Sequence, residues 1–286
     1  MTAKIIDGKA MAAELRQNLA DEIARSGAHP YLAVVLVGND EASIIYDRNK
    51  KKAAEAIGMK CDIFHLPEET SESELLELID RLNKDKEVNG IIVQMPLPKH
   101  LNDKKIIEHI SHEKDVDGFG TYNIGLLHSN DGSAMVAATP QGVLYLLQKT
   151  LGEISGLHAV IIGRSNIVGR PLASLLLNHS CTVSIAHSKT RDLPGLCRQA
   201  DILVSACGVA KMVKKDWIKP GATVIDVGIN RVDGKLCGDV DFDEVKEVAD
   251  YITPVPGGVG PMTVAMLLNN TWKAYLKQKG QNGYTD

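Results

Sequence analysis

Residues 158–177 read HAVIIGRSNIVGRPLASLLL. An apolar run of strand character passes through a glycine-flanked turn and straight into a helical pattern. Gly163 and Gly169 let main chain approach a ligand there, and a starting helix offers unpaired N–H groups to a phosphate. The common G-x-G-x-x-G run is altered to G-R-S-N-I-V-G, with Ser165 at the second glycine position. Two readings fit this segment on its own: a dinucleotide site, or a strand-to-helix turn with a purely structural purpose.

The strand that follows, CTVSIAHS (181–188), discriminates further. Sites for a cofactor with a free ribose 2′-hydroxyl place Asp or Glu about 20 residues beyond the glycine turn. Here Ser188, Lys189 and Arg191 come before the first carboxylate, Asp192, and Arg164 lies in the turn itself. Basic and hydroxyl-bearing groups suit a 2′-phosphate, so NADP is favoured over NAD. The plain alternative is that Lys189 and Arg191 are solvated loop charges.

Moving outward, the same alternation of strand and helix fills the chain. YLAVVLVG (31–38), KCDIFHL (60–66), GIIVQMPL (90–97), DILVSACG (201–208), ATVIDVGI (222–229) and YITPV (251–255) read as buried strands. Their near-continuous apolar character predicts parallel sheets covered on both faces. Ser71 and Glu74 form a capping-box pattern, and Thr139 before Pro140 predicts an N-cap with proline at the first helical position. The fold class is therefore α/β, with two domains, each a mainly parallel sheet flanked by helices. The expected division assigns 1–139 plus 265–286 to the first domain and 140–264 to the second, the helix after Pro261 returning to the first.

Composition bounds the function. A chain of 286 residues suits two domains, and 44% hydrophobic with 24% charged residues is ordinary for a globular protein. A net charge of −4 gives no general attraction to nucleic acid or to an anionic membrane. Five cysteines (61, 181, 197, 207 and 237) with no C-x-x-C pair fit a reducing cytoplasm better than a disulfide framework. The start, MTAKIIDGKAM, lacks the pattern of a signal peptide, and no apolar run approaches bilayer length. The nine histidines never stand at H-x-x-x-H spacing, and no metal is expected.

The helical pattern EASIIYDRNKKKAAEAIG (41–58) carries Tyr46, Lys50, Ala53 and Ile57 along one face. Lys51 and Lys52 read as solvated charges, whereas Lys50 interrupts the inward stripe one turn after Tyr46. A partly desolvated ammonium has a lowered pKa and can transfer protons near neutrality. The competing account is that Lys50 snorkels to solvent. Gln94 stands where a buried strand leaves its sheet, and Asp115 and Asp117 occupy a turn in HEKDVDGFGTYN (112–123). Lys50, Gln94 and Asp117 are expected near strand C-terminal ends, facing one crevice. An ammonium, an amide, a carboxylate and a phenol without nucleophile or metal suit a polar heterocycle and proton transfer, and no G-x-S-x-G supports a hydrolase triad.

One stretch remains, TPVPGGVGPMT (253–263), in which six of eleven residues are Gly or Pro and none is charged. It is either a plain turn before the last helix or backbone shaped to a ligand. Gly257, Gly258 and Gly260 would let main chain approach ligands, while Pro254, Pro256 and Pro261 restrict its path. The helix is expected to begin at Pro261 or Met262.

Taken in order, YDRNK (46–50), VQMPLP (93–98), KDVDGF (114–119), GRSNIVGRP (163–171), DVGIN (226–230) and TPVPGGVGPMT (253–263) resemble the bifunctional methylenetetrahydrofolate dehydrogenase/methenyltetrahydrofolate cyclohydrolase family. The resemblance runs from KIIDGKAMA (4–12) to the last helix. It implies a catalytic domain and an NADP-binding Rossmann-like domain with a folate cleft between them, in a homodimer acting on tetrahydrofolate derivatives. By the same resemblance Lys50 is the catalytic lysine, Tyr46 stacks on the folate, Gln94 works with Lys50, and Asp117 holds the pterin edge. Gly163, Arg164 and Ser165 match the cofactor turn, Ser188 a residue near the 2′-phosphate and Ile229 a cofactor contact; Arg191 and Thr263 are expected to bind the cofactor as well. Pro256, Gly257 and Gly258 are expected beside the folate. Glu41 stands where the family commonly has proline and Ala138 where it commonly has cysteine, which touches local loop shape only. Two other readings are open: an NADP-dependent dehydrogenase of another polar substrate such as a shikimate-type hydroxy acid, and a non-catalytic NADP-binding protein.

Overall fold

The computed structural model describes residues 2–280, so residue 1 and residues 281–286 of the expected first domain lie outside the described part. Along the chain run β1 (Lys4–Ile5), α1 (Gly8–Ser26), β2 (Tyr31–Val37), α2 (Glu41–Ala56) and β3 (Lys60–Leu66). Next come α3 (Glu72–Lys84), β4 (Gly90–Val93), α4 (Asp103–His109), α5 (Thr121–His128) and α6 (Ala138–Leu151). Then follow β5 (His158–Ile162), α7 (Gly169–Asn178), β6 (Thr182–Ala186), α8 (Leu193–Cys197) and β7 (Ile202–Ser205). The last group is β8 (Thr223–Asp226), β9 (Asn230–Val232), β10 (Lys235–Cys237), α9 (Phe242–Val245), β11 (Tyr251–Ile252) and α10 (Val259–Gln278).

The chain divides into two compact units. One comprises Glu14–Leu126, Asp131–Val136 and the chain from Val264; the other comprises the chain up to Ala13, Leu127–Asn130 and Ala137–Thr263.

In the first unit three parallel strands lie in the order β3-β2-β4. All seven residues of β2 are buried, which is why its sequence shows no polar alternation. Tyr31, Ala33, Val35 and Val37 pack with Leu75, Leu78, Ile79 and Leu82 of α3, whose spacing is that of one helical face. Burial of each such Leu or Ile contributes roughly 1.5–3 kcal/mol. The expected capping box is present: Ser71 Oγ accepts from the Glu74 backbone N–H, and Glu74 accepts from the Ser71 backbone. Because β3 and β4 flank β2 on opposite sides, the chain reverses direction across the sheet at the β2–β4 boundary.

In the second unit six strands lie in the order β1-β11-β8-β7-β5-β6, every pairing parallel. Setting β1 aside, this is the doubly wound 2-1-3-4-5 order, and its switch point falls between β5 and β7. The interior strands β5, β7 and β8 are almost wholly buried.

Three expectations are corrected. Residues up to Ala13 go with the second sheet, not the first, because β1 pairs with β11. Thr139 is not an N-cap: α6 starts at Ala138, two residues earlier than expected, with Ala137 as its N-cap, and the Thr139 hydroxyl instead meets Thr263 Oγ1 at 2.9 Å. Finally, α10 begins at Val259, two residues before Pro261. Proline is tolerated there because first-turn N–H groups have no intrahelical acceptor.

Candidate active site

Asp40 starts α2 by accepting from the Ser43 backbone N–H at 2.8 Å, and the helix then carries Tyr46, Asp47 and Lys50. Lys50 is only 5% exposed, which excludes snorkelling. Its Nζ donates to Gln94 Oε1 at 2.6 Å and to Asp47 Oδ1 at 3.0 Å, and lies 4.5 Å from the Tyr46 ring centroid. An ammonium has three N–H donors, so one remains. Gln94 follows β4 directly; its backbone N–H donates to Val35 O at 2.8 Å, at the β2–β4 switch point. The Gln94 amide is held from both ends, since Nε2 donates to Met95 O at 2.7 Å.

Asp47 is absent from the residues expected on sequence grounds, although its i, i+3 spacing from Lys50 is visible in YDRNK. The Asp47 side chain is 1% exposed, and Oδ2 has no hydrogen-bond partner among the described residues. Burial pushes this carboxyl up, and the Lys50 ammonium draws it back.

The two aspartates of the 115–117 turn divide the work. Asp115 builds the turn: Oδ1 accepts from the backbone of Gly118 (3.0 Å) and Phe119 (3.3 Å), Oδ2 from Gly120 N (2.9 Å) and Asn123 Nδ2 (3.0 Å). Asp117 accepts no hydrogen bond among the described residues. Desolvation pushes its carboxyl up to about 7; Lys50 opposes the shift, and Asp115 and Asp47 add to it. Tyr46 is pushed up to about 12, first by burial and then by Asp117 and Asp47.

A carboxyl raised in the folded state stabilises fully below its unfolded value, near 3.8, and loses that contribution as pH rises through about 7. Asp117→Asn is therefore expected to gain on the wild type between about pH 4 and pH 8, by roughly 2 kcal/mol after solvent screening. Melting curves of the two proteins across that range check this; a constant difference would show that Asp117 ionises freely.

In the second unit Gly163 ends β5 with φ +131, and a Cβ there would stand 2.3 Å from Ala206 O. Gly169 opens α7, where a Cβ would meet Gly163 O at 2.2 Å. Both glycines are thus required by the chain's own close approach at the β5–β7 switch point. Ser165 Oγ accepts from Val168 N at 3.1 Å and Gly169 N at 3.4 Å, doing the work of a cap. The backbone N–H groups of residues 164–167 have no partner among the described residues, which leaves them to an anion. Beyond β6, Ser188, Lys189 and Arg191 are exposed. Asp192 is engaged as the cap of α8, accepting from Gly195 N at 3.1 Å.

The three glycines of 253–263 have different reasons. Gly257 has φ +106, a conformation other residues adopt with strain. Gly258 packs on its own chain, where a Cβ would lie 2.6 Å from Pro254 O, and its carbonyl crowds Gly8. Gly260 faces open space. With Ile229, which is 67% exposed, and Leu236, residues 254–261 line a pocket of about 140 Å³. Pro256 is exposed, and Thr263 is half-buried on Thr139.

A scaffold that the sequence reading missed holds this region. Asp226 accepts from the backbone of Gly228 (2.9 Å), Asp239 (3.0 Å) and Val240 (2.9 Å). Asp239 in turn accepts from Cys207 N, Gly208 N and Asn230 Nδ2 at 2.8–3.0 Å. Burial pushes Asp226 up to about 6 against those hydrogen bonds. The signal available was Gly228 and Gly238, where a Cβ would strike Asp239 and Asp226. Among the described residues no cluster of three His, Cys, Asp or Glu side chains could hold a metal ion.

The family model described as tetrahydrofolate dehydrogenase/cyclohydrolase, catalytic domain, matches residues 6–117, and that described as the NAD(P)-binding domain matches 137–279. The chain belongs to the tetrahydrofolate dehydrogenase/cyclohydrolase family. It is 56% identical over 284 residues to bifunctional protein FolD 2 of Paracoccus denitrificans, covering 96% of this chain and 94% of that protein. The crystal structure of the bifunctional FolD dehydrogenase/cyclohydrolase of Campylobacter jejuni is 47% identical with a TM-score of 0.94, covering 96% and 99% of the two chains. The Trypanosoma brucei enzyme, solved with NADP cofactor and an inhibitor, is 39% identical with a TM-score of 0.92, covering 97% and 98%. A shikimate dehydrogenase of Aquifex aeolicus, 14% identical with a TM-score of 0.54, shares the fold alone. In family terms Lys50, Tyr46, Gln94 and Asp117 all lie within the match to the catalytic domain, and Gly163, Arg164 and Ser165 within that to the NAD(P)-binding domain.

Proposed function

We propose that this chain oxidises methylene-tetrahydrofolate to methenyl-tetrahydrofolate with NADP, then hydrolyses that product to 10-formyl-tetrahydrofolate. The observation that carries the reading is a buried lysine, hydrogen-bonded to Gln94 beside the ring of Tyr46, within the match to the catalytic domain. Family membership favours it over the hydroxy-acid dehydrogenase and over a non-catalytic NADP-binding protein.

The residues present fit the cofactor. Unpartnered N–H groups at 164–167 suit a pyrophosphate, and Arg164, Ser188 and Arg191 suit a 2′-phosphate, with the next carboxylate along the chain, Asp192, committed to a helix cap. Ile229 and Thr263 are further cofactor contacts, and Pro256, Gly257 and Gly258 serve the folate. NADP, when bound, supplies the hydride acceptor. Folate nitrogen lone pairs favour loss of hydride from the methylene bridge, so the protein's part in that step is alignment, with little side-chain charge nearby.

Ring opening asks more of the side chains. Water adds its oxygen to the methenyl carbon, the bond from that carbon to one ring nitrogen breaks, and that nitrogen takes one of the water's protons. One further proton leaves, so the cation becomes a neutral formyl product. Lys50 moves these protons, Gln94 places it, Tyr46 orients the ring, and Asp117 holds the pterin edge.

An absorbance assay with methylene-tetrahydrofolate and either NADP or NAD tests the reading. Reduced cofactor is expected with NADP and markedly less with NAD, followed by formyl product; turnover of a hydroxy acid instead would overturn it. We further propose a homodimer, which light scattering on the purified chain would check. A cytoplasmic setting is supported by five free cysteines, and no helix among the described residues is long and apolar enough to cross a membrane.

A further inference from the structure

We propose that Asp47 is a positioning residue for the ring-opening step, holding the Lys50 Nζ fixed against Gln94 so that its remaining N–H serves the substrate. This rests on the function proposed above. Four observations support it. The carboxylate touches no solvent to speak of, at 1% side-chain exposure. Its one partner among the described residues is Lys50, through Oδ1 at 3.0 Å. Oδ2 is buried and unpartnered. Gln94 Oε1 takes a second Lys50 N–H at 2.6 Å from a different element, so the two acceptors together fix the direction of Nζ.

A structural ion pair would be arranged differently. Burying a carboxylate costs several kcal/mol, and such pairs rarely stabilise more than apolar residues of the same volume. When a fold uses a buried aspartate as a brace, its oxygens are satisfied, as those of Asp115 are by four donors here. Asp47 braces nothing but Lys50.

Other ionisable groups face the pair, among them the buried Cys61 thiol of β3. On α2 itself there is the Tyr46 phenol, and from the 115–117 turn Asp117, which Lys50 holds down. From β3 His65 acts on Asp47, its Nε2 donating to Gly38 O at 2.7 Å. Removing the Asp47 charge takes away the ionic partner of Nζ and leaves the neutral Gln94 Oε1 as its acceptor, so its direction is held less firmly.

The test uses the full chain, with Asp47→Asn keeping the shape and an acceptor oxygen while removing the charge, and Asp47→Ala removing both. For Asp47→Asn we expect kcat for methenyl-tetrahydrofolate hydrolysis to fall roughly tenfold with KM changed less than about twofold. The melting temperature should be unchanged or higher. Asp47→Ala should fall further, and Asp47→Glu should recover part of the loss. Wild-type kcat in Asp47→Asn would overturn the proposal. So would parallel loss of both activities and of melting temperature in Asp47→Asn and Asp47→Ala, the signature of a merely structural group. A wild-type chain without hydrolase activity would instead remove the functional reading on which the proposal stands.

Discussion

Lys50→Ala is expected to lower hydrolysis of methenyl-tetrahydrofolate by about three orders of magnitude, within the range typical of a lost general acid–base group. Binding of NADP should survive, because the cofactor turn at 163–169 belongs to the other compact unit. The variant carries a complication that follows from the geometry. Without the ammonium, Asp47 is a buried carboxylate with no partner, a situation that costs about 3–5 kcal/mol. A double variant, Lys50→Met with Asp47→Leu, removes both charges at similar volume and keeps the fold under control. Decay of methenyl absorbance, a melting curve and NADPH titration on both proteins separate the outcomes. Full hydrolase activity in a folded protein lacking Lys50 would refute its role.

Gly163→Ala is expected to destabilise the protein by about 3 kcal/mol or more and to weaken NADP binding at least tenfold. The added Cβ would lie 2.3 Å from Ala206 O and 2.9 Å from its carbonyl carbon, both main-chain atoms of the segment after β7. Main chain cannot swing aside as a side-chain tip can, so β5 and β7 would have to part where they are paired. The positive φ adds a further cost for any residue with a Cβ. Thermal melting and fluorescence titration with NADPH measure the two effects, with hydrolysis of added methenyl-tetrahydrofolate as a control that calls on Lys50 and not on the turn. An alanine variant that binds NADPH as the wild type does would mean the turn is a plain connection.

Sequence patterning located the strands buried on both faces, such as β2 with seven apolar residues in a row. It also located β3 and β6, which were expected buried but are partly exposed because they lie at sheet edges. Those it missed leave no such mark. In β1 two exposed residues pair only because β11 lies beside them. The β9–β10 hairpin turns at Asp233-Gly234, both with positive φ, and its strands are three residues each and largely exposed, too short to leave a pattern. Thr139 shows the opposite error. A local cap pattern was present, and a hydroxyl 124 positions away took the side chain instead.

The stretch 253–263 divides in the same way. Its composition announced constrained main chain, yet it could not say why each glycine is there. Gly257 answers to its own φ, Gly258 to a carbonyl four residues back, and Gly260 to no neighbour of its own chain.

The amino-acid sequence by itself determined the α/β class, the run of buried strands, the capping box of α3 and the kinds of side chain available for chemistry. These follow from interactions within a few residues, which any copy of the segment would repeat. Tertiary structure alone decided that Lys50 is desolvated, that Gln94, 44 positions later, faces it, and that Asp47 stands behind it with an oxygen unpartnered. The order β3-β2-β4 brings α2 and the end of β4 together, and no local pattern encodes which strands become neighbours. A lysine's proton chemistry depends on the dielectric and the charges within a few ångströms, and those are set only once the sheet has formed.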